Sequence, residues 1–389
     1  MDIDAFDNVQ FSLFDVLLLI GMTQGLVTSI FLLRSKHNVR SNRFLALAII
    51  TLCLLSAKRF WHTSGLWDTP YIRFFPNAGE VVIAPLIYFF LVFLLNSNLK
   101  FTWKKALHFL PFAVFQIYAL VVYFATLKTQ NLIEKDFIAG LFYFSLMKDI
   151  EEYLGVISSV VYILMGVKKL KSYRVWLNNT NADSAYPDFN WLSRLFTLCF
   201  ILGAFLFLNH FLNIAFDFNR KYSFHWDAFN IYMAFVVYYL GFVGYKQSHI
   251  EIAINQTQDV KPSTLEIPKE EEQKEEEKLA QILENAMIKD KLFLNPTLSL
   301  KEVSDILEVN QRSLSQAINQ HFQKSFREVI NEYRIEEVKT KLNDENLKKQ
   351  SILGIAMDCG FNSEASFYRI FKKSTGMSPS KYKDQQNAS

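Results

Sequence analysis

Polar side chains inside apolar stretches are the first candidates for chemistry in this chain. Five lie in the N-terminal half: Asp15, Glu80, Asn209, His210 and Asn213. A helix would place Asn209 and His210 on the same face as Asn213, because they precede it by four and three residues. Ionisable groups in apolar surroundings are costly and often functional. The pattern predicts either a pocket for a polar or charged ligand, with Lys58 and Arg59 as counter-charges, or snorkelling ends and hydrogen bonds between helices.

A basic segment near the C-terminus is the second candidate. Ala365–Lys383 has no acidic residue and five basic ones: Arg369, Lys372, Lys373, Lys381 and Lys383. Clusters of this kind neutralise phosphates, which positions a nucleic acid and makes its binding salt-dependent. We expect the four lysines to contact phosphate; the alternative is a solvated charged face.

Catalytic motifs are missing from the sequence. It contains no GxSxG, HExxH, Walker-type loop or dinucleotide fingerprint. Its three cysteines show neither a CxxC pair nor metal-ligand spacing. We therefore expect no enzyme, no metal and no cofactor.

The elements that position these side chains differ between the two halves of the chain. A mean hydropathy of +0.11 conceals apolar residues 1–246 followed by a polar, charged remainder. A helix needs about 20 mostly apolar residues to cross a bilayer. Seven segments approach that length: Ser12–Leu33, Phe44–Trp61, Ala78–Leu95, Ala106–Leu127, Tyr153–Val167, Leu195–Phe216 and Phe229–Tyr245.

Basic residues in the loops orient these seven spans. With the N-terminus outside, loops 34–43, 96–105 and 168–194 are cytoplasmic and hold twelve Lys and Arg, against eight in the outer segments. The acidic N-terminus agrees and lacks the positive region of a secretory signal peptide. The sequence predicts a multi-pass membrane protein, in contact with lipid, with residues from 247 onward in the cytoplasm.

Residues 247–278 are predicted to be an acidic flexible linker, because a charged, aromatic-free stretch cannot bury enough apolar surface to fold alone. Helix punctuation follows. Ser299-x-x-Glu302 and Ser325-x-x-Glu328 are capping boxes, Gly360 and Gly376 mark helix ends, and Ser378-Pro379 opens a last helix. The predicted helices are 279–293, 300–307, 311–321, 326–342, 352–359, 363–375 and 379–385.

Two junctions have the helix-turn-helix form. The first joins 300–307 to 311–321, and the second joins 352–359 to 363–375. The helix 326–342 between them would span about 25 Å. That length suits two recognition helices set about 34 Å apart, in successive major grooves.

These residues resemble the AraC/XylS-type DNA-binding domain over Leu298–Lys383. The second unit carries most of the signature: Gly360-Phe361-Asn362-Ser363, Phe367, Arg369, Phe371-Lys372-Lys373, Gly376, Ser378-Pro379 and Tyr382. The first unit and the connecting helix contribute Ser299-Leu300, Val303, Leu307, Leu314, Phe326, Ile330-Asn331 and Tyr333-Arg334-Ile335. The whole chain resembles, by architecture alone, bacterial regulators of this family whose N-terminal half is a multi-pass membrane domain.

The resemblance implies base contacts near the start of the second helix of each unit. Carried onto this chain, they fall on Arg312, Ser315 and Gln316 in the first unit and on Glu364, Ala365, Tyr368 and Arg369 in the second. Arginine can contact guanine, glutamine suits adenine and glutamate can accept from cytosine. Ala365 departs from the polar residue usual there. For Arg369 there are two alternatives to a base contact: it contacts a phosphate, or it pairs with Glu364.

The sequence thus predicts an all-α protein: a seven-helix membrane bundle (1–246), the linker (247–278), and a cytoplasmic domain (279–389) of two helix-turn-helix units joined by a long helix. We expect it to couple a signal to the binding of double-stranded promoter DNA, with RNA polymerase as a further partner. The alternative is a transporter or receptor with a regulatory DNA-binding tail. The signal ligand is not identified by the sequence, and a homodimer through the membrane half stays open.

Overall fold

The computed structural model describes residues 13–183, 186–216, 224–247, 269–344, 347 and 350–388. These residues are mostly helical, and within them the extended backbone pairs only at an isolated antiparallel bridge between Asn181 and Ser299. The all-α fold class is therefore confirmed. The chain divides into two compact units: an N-terminal unit of Met1–Leu170 with Phe189–Gln256, and a C-terminal unit of Lys171–Asp188 with Thr257–Ser389.

Helices cover all seven segments predicted to span a membrane. Up to residue 247, the described part of the chain forms α1 Leu13–Arg34, α2 Val39–Thr63, α3 Gly79–Leu95, α4 Trp103–Ala106, α5 Leu110–Thr126, α6 Leu132–Leu141, α7 Phe144–Thr180, α8 Asn190–Phe216 and α9 Phe224–Gln247. Within the residues that the structure describes, five stretches are long and apolar enough to cross a bilayer: those in α1, α2, α4–α5, α7 and α8. The apolar helix α3 is shorter, with 17 residues, and the number seven stays a prediction.

The apolar helices leave large hydrophobic side chains uncovered. Ile117 and Phe124 of α5 are each 62% exposed, and Leu164 of α7 is 65% exposed. Only 17% of the most apolar stretch of α7 is buried within the protein. Many exposed large apolar side chains are unusual for a soluble monomer and are suited to contact with lipid or another apolar partner.

The span predicted at Tyr153–Val167 is part of a much longer helix. Helix α7 has 37 residues and begins with a polar stretch that lowered its apparent hydropathy. Within that stretch Lys148 pairs with Glu151 at 2.7 Å and lies 3.9 Å from Glu80 of α3. These ion pairs allow the helix to start well before its apolar part.

Small residues on α1 permit close packing against α9. A Cβ at Gly21 would lie 3.0 Å from Cβ of Ala234, and a Cβ at Gly25 would lie 2.6 Å from a methyl group of Val237 and 2.9 Å from Sγ of Cys53. Helix α2 packs against α3. Of the residues of α3, 14 are buried. Helix α3 is therefore a central element of its unit.

Among the described residues, the C-terminal unit contains the end of α7 and a series of further helices. They are α10 Lys269–Lys289, α11 Leu300–Ile306, α12 Gln311–His321, α13 Phe326–Leu342, α14 Ile352–Asp358, α15 Glu364–Thr375 and α16 Pro379–Ala388. The predicted bounds of α11 to α15 hold within about one residue. Helix α10 instead starts at Lys269, inside the predicted linker, because its Glu and Lys residues are strong helix formers. Residues 248–268 of that linker lie outside the described residues.

Helix α13 contributes to two separate cores. Phe326, Val329 and Ile330 pack with Leu314 and other apolar residues of the first helix-turn-helix unit. Further along the helix, Ile335, Val338 and Leu342 pack with Phe361, Phe367 and Phe371 of the second unit. Helix α13 thus fixes the two helix-turn-helix units relative to each other.

Candidate nucleic-acid interface

Helix α12 is the candidate recognition helix of the first unit, and Asn310 caps it. The Asn310 Oδ1 accepts from the backbone N–H of Arg312 at 2.8 Å and of Ser313 at 3.3 Å. Leu314 and Ile318 are buried one helical turn apart, which fixes the rotation of the helix. Its opposite face is therefore available to DNA.

Helix α15 is the candidate recognition helix of the second unit. The Ser363 Oγ accepts from the N–H of Ser366 at 3.4 Å, while Phe367 and Phe371 hold the helix on the core. The helix ends at Gly376, with φ of 79°, as the sequence predicts. The turn before the helix contains Gly360, with φ of 89°, a conformation that favours glycine.

The predicted base-contact residues are all accessible to some degree. Gln316, Glu364, Ala365, Tyr368 and Arg369 are exposed, while Arg312 and Ser315 are half-buried. Both recognition helices thus present polar side chains on the face opposite their buried residues. Contact of these side chains with bases stays a prediction.

The lysines predicted to contact phosphate lie at the end of α15 and on α16. Lys372, Lys373 and Lys381 are exposed, and Lys383 is half-buried. The ammonium of Lys373 is 3.6 Å from a carboxylate oxygen of Glu328 on α13. This pair joins two solvent-exposed side chains and contributes little to stability, so it leaves Lys373 accessible to a phosphate.

The two predicted capping boxes differ in the structure. At Ser325 both halves form: Ser325 Oγ accepts from the N–H of Glu328, whose carboxylate accepts from the N–H of Ser325 at 3.1 Å. That backbone hydrogen bond lowers the pKa of the Glu328 carboxyl. At Ser299 the hydroxyl caps Glu302, but the Glu302 carboxylate accepts from Asn295 Nδ2 at 2.9 Å. The Glu302 carboxylate thus bonds to Asn295 instead of to the backbone N–H of Ser299, as it would in a complete capping box.

Arg334 is a central residue whose role the sequence did not indicate. It is fully buried in α13 and its guanidinium donates to the carbonyls of Phe293 (2.8 Å), Ala182 (2.9 Å) and Asn295 (2.7 Å). Burial lowers the pKa of Arg334 to about 10. The arginine therefore supplies donors to the buried carbonyls of Phe293 and Ala182, and it is a second donor to the carbonyl of Asn295, which also accepts from the N–H of Leu298 at 3.3 Å.

Two aspartates between α7 and α8 also contact the second helix-turn-helix unit. Asp188 Oδ2 pairs with Arg369 at 3.0 Å, and Asp183 Oδ1 accepts from Asn362 Nδ2 at 2.6 Å. From the sequence, Glu364 is one of the alternative partners expected for Arg369. No local pattern could indicate Asp188, because the two residues are far apart in the sequence.

The N-terminal unit contains a cavity of about 460 Å³. Its walls are mainly apolar, with Lys58 and Glu80 joined by a 2.6 Å ion pair. Among the residues of the predicted ligand pocket, Glu80 lines this cavity. Asp15 and Asn209 are buried and Asn213 is half-buried, but these three do not line it. The side chain of His210 lies outside the described residues.

No cluster of three or more His, Cys, Asp or Glu that could hold a metal ion occurs among the residues described. Comparison with known proteins found no matching curated protein and no matching solved structure. Residues 303–385, from α11 to α16, match the family described as a helix-turn-helix domain. The match supports an AraC-like, DNA-binding transcription regulator.

Proposed function

We propose that this chain is a transcription regulator anchored in the bacterial cytoplasmic membrane, which couples a signal received by the N-terminal unit to promoter binding by the C-terminal unit. The observation that carries this proposal is the presence, in one chain, of two capped helices with exposed polar faces and of five helices suited to a bilayer. DNA as a partner accounts for the exposed polar faces of the two capped helices. A lipid bilayer accounts for the exposed apolar side chains of the other five.

The DNA-reading part rests on the arrangement of α12 and α15. Each helix presents its N-terminal polar residues to solvent, and α13 fixes both helices through two cores. A pair of this kind can enter successive major grooves and read a site longer than either helix could alone. Promoter-bound regulators also meet RNA polymerase, which we include as a proposed partner.

The membrane part rests on length, apolarity and charge. We propose seven spans, formed by α1, α2, α3, α4–α5, α7, α8 and α9, with the N-terminus outside. The excess of Lys and Arg in the three inner loops supports this orientation. An odd number of spans would then leave α10 and all later helices in the cytoplasm with the DNA.

The sensing part rests on the cavity of the N-terminal unit. We infer that the signal is a small amphipathic molecule. Its apolar part would fit the walls near Ile83 and Ile87, and a polar group would approach the Lys58–Glu80 pair. Binding there could alter DNA affinity only by favouring one of two helix arrangements. The predicted residues Asp15, Asn209, His210 and Asn213 would then act on helix arrangement or form a second site.

Reporter fusions test the topology. Alkaline phosphatase, which is active only outside the cytoplasm, should be active after Asp68 and inactive after Gln247; a cytoplasmic reporter such as green fluorescent protein should show the reverse. A fusion after Ser35, in the first inner loop, is the matched control and should behave like the one after Gln247. Phosphatase activity after Gln247 would place the DNA-binding unit outside the cell and refute the proposal.

A further inference from the structure

The segment between α7 and α8 is built into the C-terminal unit rather than forming a free loop. Asn181 forms a backbone bridge with Ser299, and the N–H of Ala182 donates to the carbonyl of Leu298 at 3.0 Å. Ala182 is fully buried among apolar residues of the first helix-turn-helix unit. The segment is therefore anchored at a fixed place on this unit.

Arg327 of α13 holds the second part of the segment. Its guanidinium donates to the carbonyls of Asp183 (2.8 Å) and Tyr186 (3.2 Å), and it lies 3.5 Å from the Asp188 carboxylate. Arg327 is itself 5% exposed, so these contacts replace water around a buried charge. The anchor positions both aspartates of the segment.

Anchored in this way, the two aspartates contact the second helix-turn-helix unit. Asp188 pairs with Arg369, which is predicted to contact a base, and Asp183 accepts from Asn362, which lies in the turn before α15. Carboxylate oxygens are anionic acceptors, as phosphate oxygens are, and both bind arginine in the same geometry. The two carboxylates therefore offer Arg369 and Asn362 the kind of partner that DNA would offer.

We propose that this face of the C-terminal unit is a binding surface for an acidic peptide, that residues 181–183 and 186–188 of the chain occupy it, and that DNA must displace the two carboxylates to bind fully. The proposal rests on the proposed function. Because residues 181–188 continue directly into α8, a change in the membrane helices could alter how often the carboxylates are in place. Release would both free Arg369 and remove two negative charges that repel DNA phosphates.

The test compares DNA binding by the full chain in lipid nanodiscs, using a duplex selected from a random pool by the wild-type protein. Asp183→Asn combined with Asp188→Asn should tighten binding on the order of tenfold, a gain of about 1.4 kcal/mol. Asp188→Glu, which restores the charge, should bind as the wild type does. Asp290→Asn, which removes an exposed acid of the same unit, should change affinity much less.

A second measurement on the wild-type protein does not depend on how the variant folds. Adding the duplex should speed hydrogen exchange in a peptide covering residues 181–190, because the contacts of the Asp183 and Asp188 carboxylates with Asn362 and Arg369 are lost. Unchanged or slower exchange, or a folded double variant that binds no tighter than Asp290→Asn, would overturn the acidic-peptide proposal. Failure of the wild-type chain to select any duplex would instead refute the proposed function itself.

Discussion

Replacing Arg334 with methionine should destabilise the C-terminal unit by about 3–5 kcal/mol, a large part of the 5–15 kcal/mol that stabilises a typical domain. Methionine has similar length but no donors, so the buried carbonyls of Phe293 and Ala182 would lose the guanidinium that bonds them. The carbonyl of Asn295 would lose one of two donors and keep the N–H of Leu298. Each unsatisfied buried acceptor costs about 1–3 kcal/mol. The loss would also detach Ala182 from α13.

Pulse proteolysis across a urea series, performed on the full chain, measures this effect. The matched control is Arg369→Met, which removes an arginine whose side chain is 51% exposed and which should cost less than about 1 kcal/mol. Lysine at position 334 should recover part of the stability, because an ammonium can reach some of the carbonyls but lacks the planar fork of donors. Equal urea midpoints for Arg334→Met and Arg369→Met would refute the role assigned to Arg334.

Gly360→Ala should be the second most damaging change, costing about 3 kcal/mol. A methyl group at this position would lie 2.4 Å from the carbonyl oxygen of Phe293 and 2.9 Å from Nε of Arg334. The substitution therefore adds a steric clash to the cost of a positive φ, and it disturbs the hydrogen bonds of Arg334. The turn that starts the second recognition helix would have to move.

Gly376→Ala separates the two costs. Gly376 has a similar φ of 79°, but a Cβ there would meet nothing within 4 Å. Alanine at 376 should therefore cost only the backbone strain, about 1–2 kcal/mol. If the two alanine variants unfold at the same urea concentration, the close approach of Gly360 to Phe293 has no energetic consequence and the packing described for this turn is wrong.

Local chemistry explains which parts of the fold the sequence predicted well. Asn310, Ser325 and Ser363 cap helices through side-chain bonds to residues two or three positions away. Such bonds depend on neighbours in the sequence, so the bounds of α11 to α15 could be predicted within about one residue. The buried faces of α12 and α15 follow equally from their periodic apolar residues.

The remaining features depend on contacts between distant residues. Arg334 reaches Ala182, and Arg369 reaches Asp188, across more than a hundred residues of sequence. The start of α7 depends on Lys148, which pairs with Glu151 of the same helix and lies close to Glu80 of α3. Neither spacing nor composition encodes such pairs, so the contacts of Asp183 and Asp188 and the length of α7 could not be predicted.

Genome-wide mapping of DNA cross-linked to the full chain in membrane fractions tests directly whether this protein reads DNA from the membrane. It should recover discrete promoter sites, each about two major grooves long. Gln316→Ala should relax the preference at one base position, at a cost of about 1–3 kcal/mol, whereas Lys373→Ala should lower occupancy at all sites alike. No enrichment over an untagged control, or the same change from both substitutions, would contradict a membrane-anchored protein that reads DNA sequence through α12 and α15.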